Sequence, residues 1–408
     1  MQLKKLFSGR GVVGAALSLS VATTGSGVLA IPSTFQDGGI CLVFGVLAFV
    51  GVLTIFSIDY LIRCVDCLHL RSYEDISREL LGRWCEEMVR WILIVYNVGV
   101  SAGYIVVVGE IFTPMLPLIQ PYVPFLTDSW RVMLMVWLFV MLPLSCIPQI
   151  TKLNYISYIA ITATFLISGI IVYRYVVPFD GQRNTAPITY FSLSERSFLA
   201  VPVMMFSFDC QSLIFQVYSN LETVTRSNMI KVATVSVVVT GSIYAIVGLF
   251  GYLSNTPHIT GNILANYNPL KDRLFAIGEV AYSFTVIMAY ALVLFPSRDA
   301  VLILILGYNT ATQTSVQVTG RQSLTVSIVL STLSILLALR ATSVVFIIAL
   351  LGGMCSSTMC FTYPAVFRLM LHARGLDRCT LIELAIAVCM LIFGVVGGAV
   401  STFVAIQV

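Results

Sequence analysis

The residues of this 408-residue chain that are equipped for chemistry stand inside apolar runs. Phe206-Ser207-Phe208-Asp209-Cys210-Gln211-Ser212 places a carboxylate, an amide and two hydroxyls in the middle of one run. Thr23-Thr24-Gly25-Ser26-Gly27 interrupts another with hydroxyls and glycines. Charge in apolar surroundings is costly unless it faces a cavity or a partner. Glycine weakens a helix and admits unusual backbone angles, and Ser and Thr can bond the backbone groups so freed. A helix broken at such a point offers N–H groups to an anion and C=O groups to a cation. Close packing through small residues accounts for Gly25 and Gly27 equally well. It does not account for Asp209 beside Gln211.

A third run carries Asn97, Ser101 and Tyr104, whose offsets of four and three put them on one helix face. A fourth carries Glu279, Tyr282, Ser283 and Thr285. Glu279 also has a plainer explanation, an interfacial carboxylate reaching for water. Glu110 and Glu383 stand near run ends and read as interfacial. Gly352-Gly353-Met354-Cys355-Ser356-Ser357-Thr358 is a further small, polar, bendable stretch. Most of the ten cysteines, among them Cys41, Cys146, Cys210, Cys355, Cys360 and Cys389, sit in apolar runs and read as buried small hydrophobes. Cys64 and Cys67 form a C-x-x-C with no second pair nearby, so no metal site is expected. His69, His258 and His372 fall in connecting segments, and no H-E-x-x-H, G-x-S-x-G or paired intramembrane aspartates occur. No catalytic set and no cofactor are expected, and the chain is not read as an enzyme.

The elements that must hold these residues are set by composition. The chain is 58% apolar and 10% charged, where soluble chains carry about 25% charged residues. So little charge cannot coat a soluble surface, which excludes an ordinary cytosolic enzyme and a disordered chain. With no basic run longer than Lys4-Lys5, nucleic-acid binding is excluded as well. The solvent is lipid, where backbone polar groups must be satisfied within helices. Eleven runs are long enough to span: Gly11 to Pro32, Gly38 to Ile62, Trp91 to Met115, Trp130 to Pro148, Tyr155 to Val177, Phe198 to Tyr218, Ile230 to Leu253, Leu274 to Phe295, Ser323 to Leu339, Val344 to Phe367 and Leu381 to Val404. The first follows Lys4, Lys5 and Arg10 but is too long for a cleaved signal. Ala300 to Leu306 is too short to span and lies at the interface or extends the eighth helix. Ser72-Tyr73-Glu74-Asp75 opens a short amphipathic connector helix on the inner surface, in which Leu80, Leu81 and Trp84 follow with Arg78 and Arg83 among them. Placing the amino terminus inside puts sixteen of the 23 Lys and Arg residues on the inner side. The carboxyl terminus then lies on the opposite side.

The two interrupted runs are the first and the sixth, the opening members of two consecutive five-helix sets. Paired interruptions at matching positions of two halves point to the binding site of a transporter. The candidate binding residues are therefore Thr23, Thr24, Gly25, Ser26, Gly27, Asn97, Ser101, Phe206, Ser207, Phe208, Asp209, Gln211, Glu279 and Tyr282. Asp209, Glu279, Ser283 and Thr285 are candidates for ion coupling, to H+ or Na+. A channel and a non-transporting sensor are the competing classes.

Thr24-Gly25-Ser26-Gly27-Val28-Leu29-Ala30-Ile31-Pro32 resembles the opening of the amino acid/auxin permease family, within the amino acid–polyamine–organocation superfamily. Phe206 to Gln211 with Tyr218 is similar to its sixth-helix motif, and Tyr73 to Gly82 to its inner connector. Pro296-Ser297-Arg298, and Gly352-Gly353 with Pro364, match as well, and the short loops with P-S-R-D resemble the trypanosomatid branch. The resemblance implies an all-α polytopic protein of eleven spans with a LeuT-like core of five plus five inverted helices. Residues 1–177 would form the first repeat, 198–369 the second, and 379–408 the extra helix. It implies secondary transport of amino acids by a monomer in a membrane, the plasma membrane before an internal one. The substrate carboxylate would meet backbone at Gly25, Ser26 and Gly27, and its amino group the carbonyls of the sixth helix. Asp209 departs from the pattern, since many relatives carry an uncharged residue there. It either faces the side chain of a cationic substrate, arginine or lysine, or serves a proton or sodium site beside a neutral substrate. The first of these is the expectation carried forward.

Overall fold

The computed structural model describes residues 11–407 except 71, 123, 126, 148–153, 180–183, 185, 307, 310–313, 316–318 and 342. Lys4, Lys5, Arg10, Arg71, Lys152 and Arg183, used above for orientation, lie outside the described residues, as do the span end at Pro148 and the terminal Val408.

Nine helices among the described residues are long and apolar enough to cross a membrane. Two shorter apolar helices, Val12–Val21 and Ser129–Ser145, take the first and fourth places and complete the expected eleven. The first is short because the span is broken: Val12–Thr23 is followed, after Thr24 to Ser26, by a second half, Gly27–Gly38. That half runs through Pro32, where the sequence suggested an end. Spans two and three are Ile40–Leu68 and Arg83–Met115. The third starts eight residues before the expected Trp91, because Gly82, at φ +97°, ends the connector and a new helix begins at once. Asn154–Val176 is span five. The sixth, Glu195–Ser219, is broken into Ala200–Ser207 and Gln211–Ser219. Arg226–Asn255, Arg273–Leu306, Gly320–Ala338, Val344–Ala373 and Leu381–Gln407 follow. Ala300 to Leu306 thus extends the eighth helix. The strands among the described residues are a two-residue pair, Tyr308–Asn309 with Thr314–Ser315.

The chain divides into two compact units. The first holds Met1–Trp91, Asn184–Pro257 and Ile348–Val408, and so contains both broken spans with spans two, seven and eleven. Span seven lies along span one through a single row of residues four apart: Ser236, Thr240, Tyr244, Gly248 and Tyr252. Opposite the second half of span one the row presents Gly248. A methyl group there would stand 2.5 Å from the Phe35 ring and 2.7 Å from Ile31. The connector helix Tyr73–Leu81 is capped by Ser72, whose hydroxyl accepts from the Asp75 N–H. It buries Tyr73, Ile76 and Leu80, while Trp84, read from sequence with this helix, belongs to the next one and is 86% exposed. The Tyr73 hydroxyl donates to Met359 O at 2.7 Å in span ten, and burial holds this phenol well above its ordinary pKa.

Span ten is wound as a π-helix over Gly352–Thr362, the bendable stretch of the sequence. Small residues let it touch its neighbours backbone to backbone. A methyl on Gly352 would overlap Pro202 O, and one on Gly353 would stand 2.9 Å from Thr402 N. Below it, acids and bases from spans two, seven, ten and eleven and from the segment joining the last two form one cluster. Asp59 accepts from Arg63 and Arg226, Asp377 from Arg63 and Arg368, and Glu383 from the same two arginines. Arg368 is fully buried. Glu383, read from sequence as interfacial, is therefore an anchor of span eleven, and it also caps that helix together with Thr380. Cys41 and Cys389 correct the reading of the cysteines: both are exposed, and Cys146 is half-buried.

The second unit holds Ile92–Arg183 and His258–Ile347. Spans five and eight pack closely, with Gly278 admitting Ile167 and Ile170. Arg174 donates to Asp272 at 2.6 Å, and Asp272 in turn caps the start of span eight through the N–H groups of Leu274 and Phe275. Trp137 and Tyr290 both bond Ser331, tying spans four, eight and nine.

Candidate functional site

Both interruptions marked in the sequence are real breaks, and they lie together in the first unit. In span one the first half ends at Thr23, and Thr24 and Ser26 carry the turn. Its hydroxyls turn back on their own helix: Thr24 Oγ1 donates to Ser20 O at 2.7 Å and Thr23 Oγ1 to Ser20 O at 2.9 Å. This is the local hydrogen bonding by which Ser and Thr end a helix. The second half starts at Gly27, whose Cα lies against Ser207. A methyl on Gly27 would overlap Ser207 Oγ and stand 3.1 Å from Ser207 Cα, so only glycine permits the two breaks to meet. Ser26 Oγ is buried with no hydrogen-bond partner among the described residues.

In span six the first half ends at Ser207 and the second begins at Gln211, with Phe208, Asp209 and Cys210 between. Gln211 is fully buried and organises the turn. Its Oε1 accepts from the Cys210 N–H at 2.9 Å and from the Cys360 thiol at 3.0 Å, and its Nε2 donates to Ser57 at 3.1 Å. The Asp209 carboxylate is half-buried and within hydrogen-bonding reach of the Cys360 thiol, with Tyr73, Cys210 and Cys355 in its electrostatic surroundings. Phe206 and Phe208 are buried. The Phe208 ring packs edge-to-face on Tyr244 at 5.4 Å.

Span seven joins the two breaks. Ser20 Oγ donates to Ser236 Oγ at 3.1 Å, and the hydroxyls of Thr23 and Thr240 lie 3.1 Å apart. One turn further along, the Tyr244 hydroxyl reaches Thr23 O at 2.7 Å and Ser207 O at 2.6 Å. These are the terminal carbonyls of the two first halves, groups that a helix end leaves unsatisfied. Ser57, Ser236, Thr240 and Tyr244 were not singled out from the sequence, and Cys360 was read there only as a buried small hydrophobe. For three of them a signal was present, the four-residue spacing of Ser236, Thr240 and Tyr244.

The other candidates lie in the second unit. Asn97, Ser101 and Tyr104 are buried on one face of span three, and Asn97 Nδ2 and Ser101 Oγ have no hydrogen-bond partner among the described residues. Glu279 is 1% exposed, which corrects the interfacial alternative, and its Oε2 is also without a hydrogen-bond partner among the described residues. Tyr282, one turn on, is fully buried beside Tyr104. Ser283 and Thr285 are buried and donate to their own helix, at Val280 O and Ala281 O. Glu110, read as interfacial, accepts from Asn262 at 2.8 Å. No group of three or more His, Cys, Asp or Glu residues that could hold a metal occurs among the described residues. The arrangement offers backbone ends and hydroxyls at the first break, a carboxylate and a fixed amide at the second. It is equipped to hold a small zwitterion.

Residues 8–407 match the family described as transmembrane amino acid transporter protein. The chain is 25% identical over 372 residues to the putative sodium-coupled neutral amino acid transporter 11 of Bos taurus, covering 89% of this chain and 78% of that one. Its fold is similar to a Na+-coupled sialic acid symporter solved in a substrate-bound outward-open state, at a TM-score of 0.52 and 13% identity, covering 100% of this chain and 92% of the other. The LeuT-like all-helical class expected from the sequence is thus the observed one, and the protein is an integral, multi-pass membrane protein. A chain matched to this family over nearly its whole length, with its two broken spans meeting at Gly27 and Ser207, belongs to the transmembrane amino acid transporter family.

Proposed function

We propose that the protein is a secondary active transporter that carries a neutral amino acid by alternating access, with the two breaks as its binding site. The observation that carries this is the close approach of Gly27 and Ser207, which brings the start of one half-helix to the end of another. The substrate carboxylate meets the N–H groups at Gly25, Ser26 and Gly27, where the helix dipole favours an anion. The amino group meets the carbonyl side of the sixth-span break. Breaks opening two successive five-helix sets accord with inverted repeats over residues 1–177 and 198–369. The relative's name supports a neutral substrate and sodium as the coupling ion, with Asp209, Glu279, Ser283 and Thr285 as the residues to test for coupling. The amino terminus lies in the cytoplasm, as the distribution of Lys and Arg supports.

A cationic substrate remains the second reading, favoured by the Asp209 carboxylate in the break itself. Uptake of labelled alanine and arginine into proteoliposomes, with and without a sodium or proton gradient, separates the two. Alanine uptake that needs the gradient, together with arginine uptake at background, is expected. Arginine uptake that is lost in Asp209→Asn would favour the cationic substrate instead.

A further inference from the structure

Tyr244 is fully buried in span seven, and its hydroxyl stands between two backbone carbonyls, Thr23 O at 2.7 Å and Ser207 O at 2.6 Å. Thr23 closes the first half of span one and Ser207 the first half of span six, so both carbonyls sit where a helix ends in apolar surroundings. A buried carbonyl without a donor is costly, and here one phenol supplies both. The hydroxyl has a single proton, which the two acceptors share in the three-centre manner common at helix termini. The placement is built from three sides. Below it, Ser236 and Thr240 bond Ser20 and Thr23 and fix the rotation of span seven. Its ring is held edge-on by Phe208, inside the second break. One turn above, Gly248 lets span seven close on Phe35 and Ile31 of the second half of span one.

We propose that Tyr244 is a positioning residue for the amino acid. Its hydroxyl proton ties the carboxyl ends of both broken half-helices together and sets the spacing between the groups that receive the substrate's carboxylate and its amino group. Substrate need not make contact with Tyr244 for this. A zwitterion has a fixed separation between its two charges, so a site built from two breaks works only while the breaks keep register. The inference rests on the two breaks being the amino acid site.

The test is transport kinetics in proteoliposomes with wild type and Tyr244→Phe. The variant keeps the ring against Phe208 and removes only the shared proton. Its KM for the amino acid is expected to rise about tenfold, the size set by losing one hydrogen bond to buried carbonyls, while kcat changes less. A folded variant with wild-type KM overturns the tie. Should Tyr244→Phe fail to fold, Ser236→Ala combined with Thr240→Val removes the two hydroxyl contacts that seat span seven on span one and leaves the Tyr244 hydroxyl in place. Its KM is expected to rise severalfold with a smaller change in kcat, and a folded variant with wild-type KM overturns the inference. Failure of the wild-type protein to carry any amino acid is a different result, and it removes the proposed function itself.

Discussion

The two breaks of the first unit are made in opposite ways. The break in span one is built of small residues, and its side chains are spent on its own helix, through Thr23 and Thr24 to Ser20 O. What it shows to a neighbour is backbone, at Gly27, and one hydroxyl without a hydrogen-bond partner among the described residues, Ser26 Oγ. The break in span six is built of large and polar residues, and its side chains hold the turn from outside the helix, through Gln211 to Ser57 and Cys360. What it shows is a carboxylate and the aromatic rings of Phe206 and Phe208. A break can thus be kept open by small residues that satisfy themselves or by an amide that recruits neighbours. On the proposed function, the first kind would receive a group common to all substrates, and the second would choose among them.

The contrast can be broken most severely at Gly27. Gly27→Val is expected to lower transport by up to about a hundredfold, because overpacking a close contact costs about 1–3 kcal/mol. Uptake in proteoliposomes checks this, and adding Ser207→Gly to Gly27→Ala is expected to recover part of the loss that Gly27→Ala causes alone, as a double-mutant cycle would show. Next in size is Gln211→Ala, which strands the Cys210 N–H and the Ser57 hydroxyl in a buried turn. A loss of about 1–3 kcal/mol in unfolding free energy is expected, read as a lower thermal midpoint, with Gln211→Glu intermediate. Asp209→Asn tests the selective half of the contrast. It is expected to leave the protein folded and to change the ranking among amino acids in competition assays, whereas a uniform fall for every amino acid would assign Asp209 to coupling instead. The smallest effect is expected at Ser26→Ala. No partner among the described residues is lost, so the unfolding free energy should hold within about 0.5 kcal/mol, while KM rises a few-fold for all substrates alike. A stability loss there, or a change confined to one substrate, would erase the distinction between the breaks.

Both breaks were legible in the sequence because glycines, hydroxyls and a carboxylate stand out against Leu, Val and Ile. The connector cap at Ser72 was legible for the same reason, a local pattern closing within three residues. Helix ends were less so. Pro32 looked like a stop, yet Gly27–Gly38 runs through it, since a helix packed within a membrane protein finds other partners for the backbone group a proline frees. Arg83 to Arg90 looked like connector because of their charge, but Arg90 pairs with Glu86 and Glu87 on the same helix. What joins distant segments was not legible. Glu383 meets Arg63 across 320 positions, and Tyr244 meets Thr23 across 221. A tyrosine in an apolar helix carries no mark of the carbonyls it will serve, and Cys360 none of the amide it will bond.

The most direct measurement is gradient-driven accumulation of labelled alanine by the purified protein in liposomes, run beside Gly27→Val. Accumulation by wild type above the equilibrium level, abolished in Gly27→Val, is the expected result. Binding of alanine without any accumulation, or accumulation that Gly27→Val leaves intact, would contradict the assignment of the two breaks as the site of transport.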